Sequence, residues 1–199
     1  MSFLRRRGAL VGLLGSIIVV FVGLVATVAF SFIDDAPASA QTNELPPEVP
    51  RRNLPKVLDG TVFDSARVGD IIVVGGDFTQ LEKQDGERID VSGAYAYHVD
   101  TGELIDSFVP VLTKNEGDPV ILAVESAGPD SVLLGGKFGS VNGHNHRRLS
   151  KISISSGQVD TSFASDFDGP VRDIVLKNGR LFVGGEFTSV NGVARGRLV

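Results

Sequence analysis

Three versions of one phrase recur along this chain, and they limit its fold more than any other feature. The fullest is Leu181-Phe182-Val183-Gly184-Gly185-Glu186-Phe187-Thr188-Ser189-Val190-Asn191-Gly192. Earlier versions read Val73-Val74-Gly75-Gly76-Asp77-Phe78-Thr79 and Leu133-Leu134-Gly135-Gly136-Lys137-Phe138-Gly139-Ser140-Val141-Asn142-Gly143. The intervals between the double glycines are 60 and 49 residues. A motif repeated at that period marks a supersecondary unit that buries its apolar face only against its neighbours.

The flanking sequence repeats as well. Asp59-Gly60-Thr61-Val62 lies 16 residues before Gly75, and Asp168-Gly169-Pro170-Val171 lies 16 before Gly184. The middle copy, Gly117-Asp118-Pro119-Val120, aligns if two extra residues are placed near Gly128-Pro129. Thr101-Gly102-Glu103-Leu104-Ile105-Asp106-Ser107-Phe108 matches Ser156-Gly157-Gln158-Val159-Asp160-Thr161-Ser162-Phe163 without a gap. Copies are expected over 59–108, 117–163 and 168–199. Charged insertions at 82–90 and 113–118 are expected in loops on one side of the array.

Each copy holds short β-branched and aliphatic runs broken by Gly, Asn and Asp, with no sustained helical period, so the fold class is all-β. Four strands are expected per unit: 171–176, 181–189, 149–154 from the copy before, and a short 158–163. Four strands in about 49 residues is the size of a propeller blade. Lys177-Asn178-Gly179-Arg180, Asn142-Gly143 and Asn191-Gly192 carry the Asn-Gly of hairpin turns that need positive φ. Glycine inside a strand weakens packing unless another backbone or side chain must come close, so Gly75-Gly76, Gly135-Gly136 and Gly184-Gly185 are expected where blades crowd together. Phe78, Phe138 and Phe187 would fill the space between blades, and Phe108 and Phe163 would end the unit.

The pattern Gly-Gly-x-Phe-Thr-x-Val-Asn-Gly, followed by Arg147-Arg148-Leu149 or Arg195-Gly196-Arg197-Leu198 and then Thr-Gly, resembles the delta-sixty type β-propeller repeat of bacterial secreted and surface proteins. The double glycine is similar to that of kelch blades. The resemblance spans 59–199 and implies fold rather than activity. The first copy departs from it with Gln80-Leu81-Glu82 in place of Val-Asn-Gly. Because closed propellers take about 4–8 blades, the expectation is an N-terminal fragment with a partial propeller.

Ahead of the repeats, residues 8–33 are free of charge, follow Arg5-Arg6-Arg7 and end at Asp34-Asp35. Such a stretch is long enough for a membrane anchor, while Ala38-Ser39-Ala40 suits cleavage of a signal peptide. Both readings direct the rest of the chain across the membrane by the positive-inside rule. Residues 41–58, with Pro46, Pro47, Pro50 and Pro55, read as an extended spacer. After Ala40 the chain carries 16 Lys plus Arg against 22 Asp plus Glu, a balance that opposes nucleic-acid binding. There is no cysteine, so disulfides and thiolate metal sites are excluded.

Sequence offers little chemistry. Gly75-Gly76-Asp77-Phe78 lacks one acidic residue of the cyclic-dinucleotide synthase signature, and the equivalent position in the next copy is Lys137. His144-Asn145-His146 follows a turn and has no third ligand tied to it, which reads against a metal site. Asp166-Phe167-Asp168-Gly169 has the spacing of a calcium-loop fragment without its remaining ligands, and reads as a solvated turn. No catalytic, cofactor-binding or metal residues are assigned. The expectation is a non-enzymatic, extracytoplasmic module that binds protein or glycan or serves as a scaffold, attached to the membrane through 8–33 if that segment is retained. The alternative is the first part of a propeller enzyme of lyase, lactonase or sugar oxidase type, with its active site in other blades.

Overall fold

The computed structural model describes residues 53–113, 117–163 and 165–199, all within the compact unit Glu48–Val199. The apolar stretch 8–33, Ala38, Ala40 and spacer residues 41–52 lie outside the described residues. In the first copy the strands are β1 (Lys56–Val57), β2 (Val62–Val68), β3 (Ile71–Gly76), β4 (Gln80–Glu82), β5 (Arg88–Asp90) and β6 (Ala94–His98). The second holds β7 (Leu112–Thr113), β8 (Val120–Ser126), β9 (Ser131–Lys137), β10 (Ser140–Val141) and β11 (Leu149–Ser153). The third holds β12 (Val171–Lys177), β13 (Arg180–Gly185), β14 (Ser189–Val190) and β15 (Val193–Ala194).

Three antiparallel blades result. Their cores are β2-β3-β6, β8-β9-β11 and β12-β13, and Leu198 bridges Gly184 where Ala94 and Leu149 pair with Gly75 and Gly135. A fourth layer is reduced to single bridges, Tyr97 to Leu104 and Ile152 to Val159. The strand expected over 158–163 is therefore only a point of contact. The protein is all-β, a partial propeller of repeated blades.

Other expectations shift by local causes. The second strand, expected to reach Ser189, stops at Gly185, because the chain turns at Phe187-Thr188 and Ser189–Val190 pairs with Val193–Ala194 instead. The insertion expected as a loop over 82–90 is a hairpin: β4 pairs with β5, and β1 adds to its other edge. Lys56 and Val57, read as spacer, thus belong to the first blade. The hairpin of the second blade holds one extra residue rather than two, since Val124 pairs with Leu134 where Ser65 pairs with Val74 and Ile174 with Val183. That register aligns Asp118, not Gly117, with Asp59 and Asp168.

Turn chemistry follows the sequence. Asn178 and Gly179 have φ of 52° and 70°, and Asn142, Gly143, Asn191 and Gly192 are also left-handed. An Asn-Gly pair adopts this conformation at little cost, and its twist matches that of the flanking strands.

The two glycines of each pair have separate roles. A Cβ on Gly75 would lie 2.4 Å from Ile121 Cγ2 and 2.7 Å from Val124 Cγ2, side chains of the next blade. Gly135 faces Val171 Cγ1 at 2.6 Å and Ile174 Cδ1 at 2.8 Å in the same way. The second glycine serves its own blade: a Cβ on Gly76, Gly136 or Gly185 would meet the carbonyl of Thr61, Val120 or Pro170 at 2.1, 2.0 and 2.2 Å. Gly76 and Gly185 also make room for the rings of Phe78 and Phe187. Phe78, Phe108, Phe138 and Phe187 are fully buried, and Phe163 packs partly buried against the cluster around Phe187. Val73, Ile121, Val124 and Leu134 form the core between blades one and two, and Leu133, Val171, Ile174 and Val183 that between two and three. Each such side chain contributes about 1.5–3 kcal/mol on burial.

Gly135→Ala should destabilise the fold by about 1–3 kcal/mol through overpacking of the joint. Gly139→Ala, whose added Cβ would find its nearest neighbour, Thr113 O, at 3.7 Å, should stay within about 0.5 kcal/mol of the parent. Urea unfolding of the two variants checks the contrast.

Candidate functional site

Where the chain enters a blade, an aspartate closes the turn that follows Gly-Gly-x-Phe. Asp168 Oδ1 accepts the N–H groups of Thr188 (2.8 Å) and Ser189 (2.9 Å), and Oδ2 accepts the Thr188 hydroxyl at 2.6 Å. Asp59 repeats this with Thr79 N–H, Gln80 N–H and the Thr79 hydroxyl. In the second blade Gly139 replaces the threonine, and its N–H goes to the Thr113 carbonyl at 2.7 Å. Asp118 occupies the aspartate position there without a hydroxyl to hold. The Thr188 hydroxyl and two backbone N–H groups hold Asp168 well below the usual carboxylate range, and the Thr79 hydroxyl lowers Asp59 in the same sense. A carboxylate saturated by N–H and O–H donors favours its charged form.

Both oxygens of Asp168 thus accept protein donors, and Asp166 lies 3.5 Å from Arg147 Nε. The two histidines differ in burial. His146 is 6% exposed while His144 is exposed, their rings meet edge to face at 6.5 Å, and burial lowers the pKa of His146, with His144 adding to the shift. Among the described residues no group of three or more His, Asp or Glu is arranged to hold a metal.

A concave feature lies where the first copy breaks the repeat. A depression of about 260 Å³ is lined by Pro55, Lys83, Gln84, Asp85, Gly102, Glu103, Leu104 and Asp106. The β4–β5 turn forms one wall, braced by Lys83 Nζ on Glu87 at 2.9 Å. The Thr101-Gly102 turn forms the other. Gln84 Nε2 donates across to the Asn53 and Thr101 carbonyls, the latter at 2.7 Å, and Asn53 Nδ2 donates to Thr101 O at 2.9 Å. Gly102 is required there: its φ is 71°, and a Cβ would lie 1.9 Å from Asn53 O. The Glu87 carboxylate, with Asp106 3.8 Å from Nζ, keeps Lys83 charged by raising its pKa. Donors and acceptors thus line one polar concavity.

Residues 176–199 match the family model described as "Domain of unknown function (DUF5122) beta-propeller". The chain is built of β-propeller blades. The matched stretch runs from the end of β12 through the rest of the third blade. Among solved structures, the computationally designed Ika4 protein aligns over 73% of this chain and 100% of its own, at 14% identity and a TM-score of 0.32. No curated protein matches the chain.

Sequence spacing alone brought Asp59 and Asp168 into register, but their partners were missed, although Thr79 and Thr188 also repeat and only Gly139 breaks the series. The depression was not legible, because its walls come from residues separated by 31 and 17 positions.

Folded-state pKa values lie below the unfolded aspartate value of about 3.9. The clamps therefore stabilise the fold above that pH and lose their effect as pH falls through the folded values. Thr188→Val and Thr79→Val should each move acid unfolding, followed by circular dichroism, to higher pH, whereas Ser140→Ala should leave it in place.

Proposed function

We propose that this chain is an exported, non-enzymatic β-propeller segment of the delta-sixty type that acts as a cell-surface or secreted binding and scaffold module for a protein or glycan ligand. The observation that carries the reading is the location of sequence novelty. The three blades share the double glycine and the phenylalanine that follows it, and the first departs from the others in a hairpin whose turn walls a polar depression. Recognition residues concentrate on loops held by a repeated scaffold. Lys83 supplies a donor, and Asp85, Glu103 and Asp106 supply acceptors, a mixture suited to hydroxyl-rich or peptide ligands. Export rests on the charge-free stretch after Arg5-Arg6-Arg7 and the positive-inside rule.

A glycan and protein binding screen of the full chain tests the proposal. A ligand should emerge whose affinity falls at least tenfold in the Lys83→Ala, Asp106→Ala double variant at unchanged thermal stability. Binding that ignores these substitutions, or no ligand at all, would count against the site. Turnover of a bound sugar or lactone would transfer the protein to the alternative, a propeller enzyme.

A further inference from the structure

The third blade carries a face whose equivalents on the first and second blades are covered. On the first, Asp64 and Gly75 pair across strands, as do Ala66 and Val73. The second blade has Ala123 with Gly135 and Glu125 with Leu133, and the third has Asp173 with Gly184 and Val175 with Phe182. Val73 and Leu133 are 0% and 2% exposed, whereas Phe182 is 45% and Val175 44% exposed. Ile121 and Val124 crowd Gly75, and Val171 and Ile174 crowd Gly135, but the nearest atom to a Cβ on Gly184 is its own neighbour Asp173 Cβ at 3.8 Å.

The two closed joints also show which strand such a face accepts. After the bulge of each first strand, one backbone N–H needs an acceptor. In the first and third blades it is met within the strand: Asp64 Oδ1 takes Ser65 N–H at 2.8 Å, and Asp173 Oδ1 takes Ile174 N–H at 3.0 Å. The second blade has Ala123 at that position, and the Val124 N–H is taken by Asp64 Oδ2 of the preceding blade at 2.8 Å. Asp64 thus serves two blades, and the neutral Ala123 beside it leaves that N–H to be taken. Asp173 repeats the Asp64 arrangement with its second oxygen on the open face, where no donor takes it among the described residues. An incoming strand with its own aspartate would set two carboxylates side by side and would already have satisfied its N–H.

We infer that the Asp173–Phe182–Gly184 face is the docking site for a further blade of the second-blade type. Its first strand carries β-branched residues at the Ile121 and Val124 positions and a small neutral residue at the Ala123 position, whose following N–H is donated to Asp173 Oδ2. The face selects against a strand of the first-blade type, Val62-Phe63-Asp64-Ser65. A second copy of this chain presenting its own β2 is therefore disfavoured as the occupant.

The chain contains no tryptophan, so Phe182→Trp in the full chain places a single fluorescent reporter on the face. Titration with a peptide of residues 117–137 should blue-shift the reporter saturably. The same peptide with Ala123→Asp should bind at least tenfold more weakly, and Gly184→Val in the chain should abolish the shift. Extending the reporter chain after Val199 by residues 117–163 removes dependence on a free hairpin. The shift should then appear in the extended chain and fail when the extension carries Ala123→Asp. Equal behaviour of the alanine and aspartate versions would overturn the inference, as would absence of a shift in the extended chain. A blue shift that grows with chain concentration alone would assign the face to a second copy instead.

Discussion

The structure depends on the close approach of β-branched side chains to the first glycine of the pair in the first and second blades. Ile121 and Val124 reach Gly75, and Val171 and Ile174 reach Gly135, at distances that leave no room for a Cβ. A sheet can pack on a sheet at ordinary spacing with side chains on both surfaces. These blades instead bring one strand's side chains onto bare backbone. The joint is closer than two full side-chain layers allow, and the first and second blades complete their cores with residues from the blade that follows.

The second glycine answers a different demand, which is why the pair recurs as a unit. It lies opposite the first-strand bulge, against the carbonyl of Thr61, Val120 or Pro170, and in the first and third blades against the blade's own phenylalanine ring. One dipeptide therefore sets both the distance between blades and the local turn within each. Phe78 meets Tyr95 edge to face at 5.5 Å and Phe187 meets Phe167 at 4.8 Å, geometry that aromatic pairs favour. Substitutions across the repeats come in matched sets. Where Gly139 replaces the clamp threonine, its N–H finds the Thr113 carbonyl. Where Ala123 replaces the joint aspartate, the preceding blade supplies Asp64. A backbone donor in these tight turns must have an acceptor, so losing one acceptor requires gaining another.

Much of the fold was legible from residue types, and the misreadings share a cause. Asn178-Gly179 and Asn191-Gly192 mark turns because their backbone needs are local, and Leu149 to Ile154 reads as a strand for the same reason. The extent of the second strand was misread because Ser189–Val190 keep a strand-like composition yet pair with Val193–Ala194 rather than continue β13. The 82–90 insertion reads as a loop because charged residues hide the pairing of Leu81 with Ile89 and Val57. Pairing partners distant in sequence leave no local signature.

By itself the sequence determined that this is an all-β chain of repeated blades, where the Asn-Gly pairs turn the chain, and which glycines and phenylalanines recur, because those properties follow from side-chain volume, backbone freedom and period. Tertiary structure alone decided which neighbour each glycine serves, which acceptor satisfies each N–H at the joints, and that the break in the first copy encloses a polar depression. Those outcomes depend on side chains and carbonyls brought together from different blades or from turns far apart in the chain, and their distances are fixed only once the blades have packed.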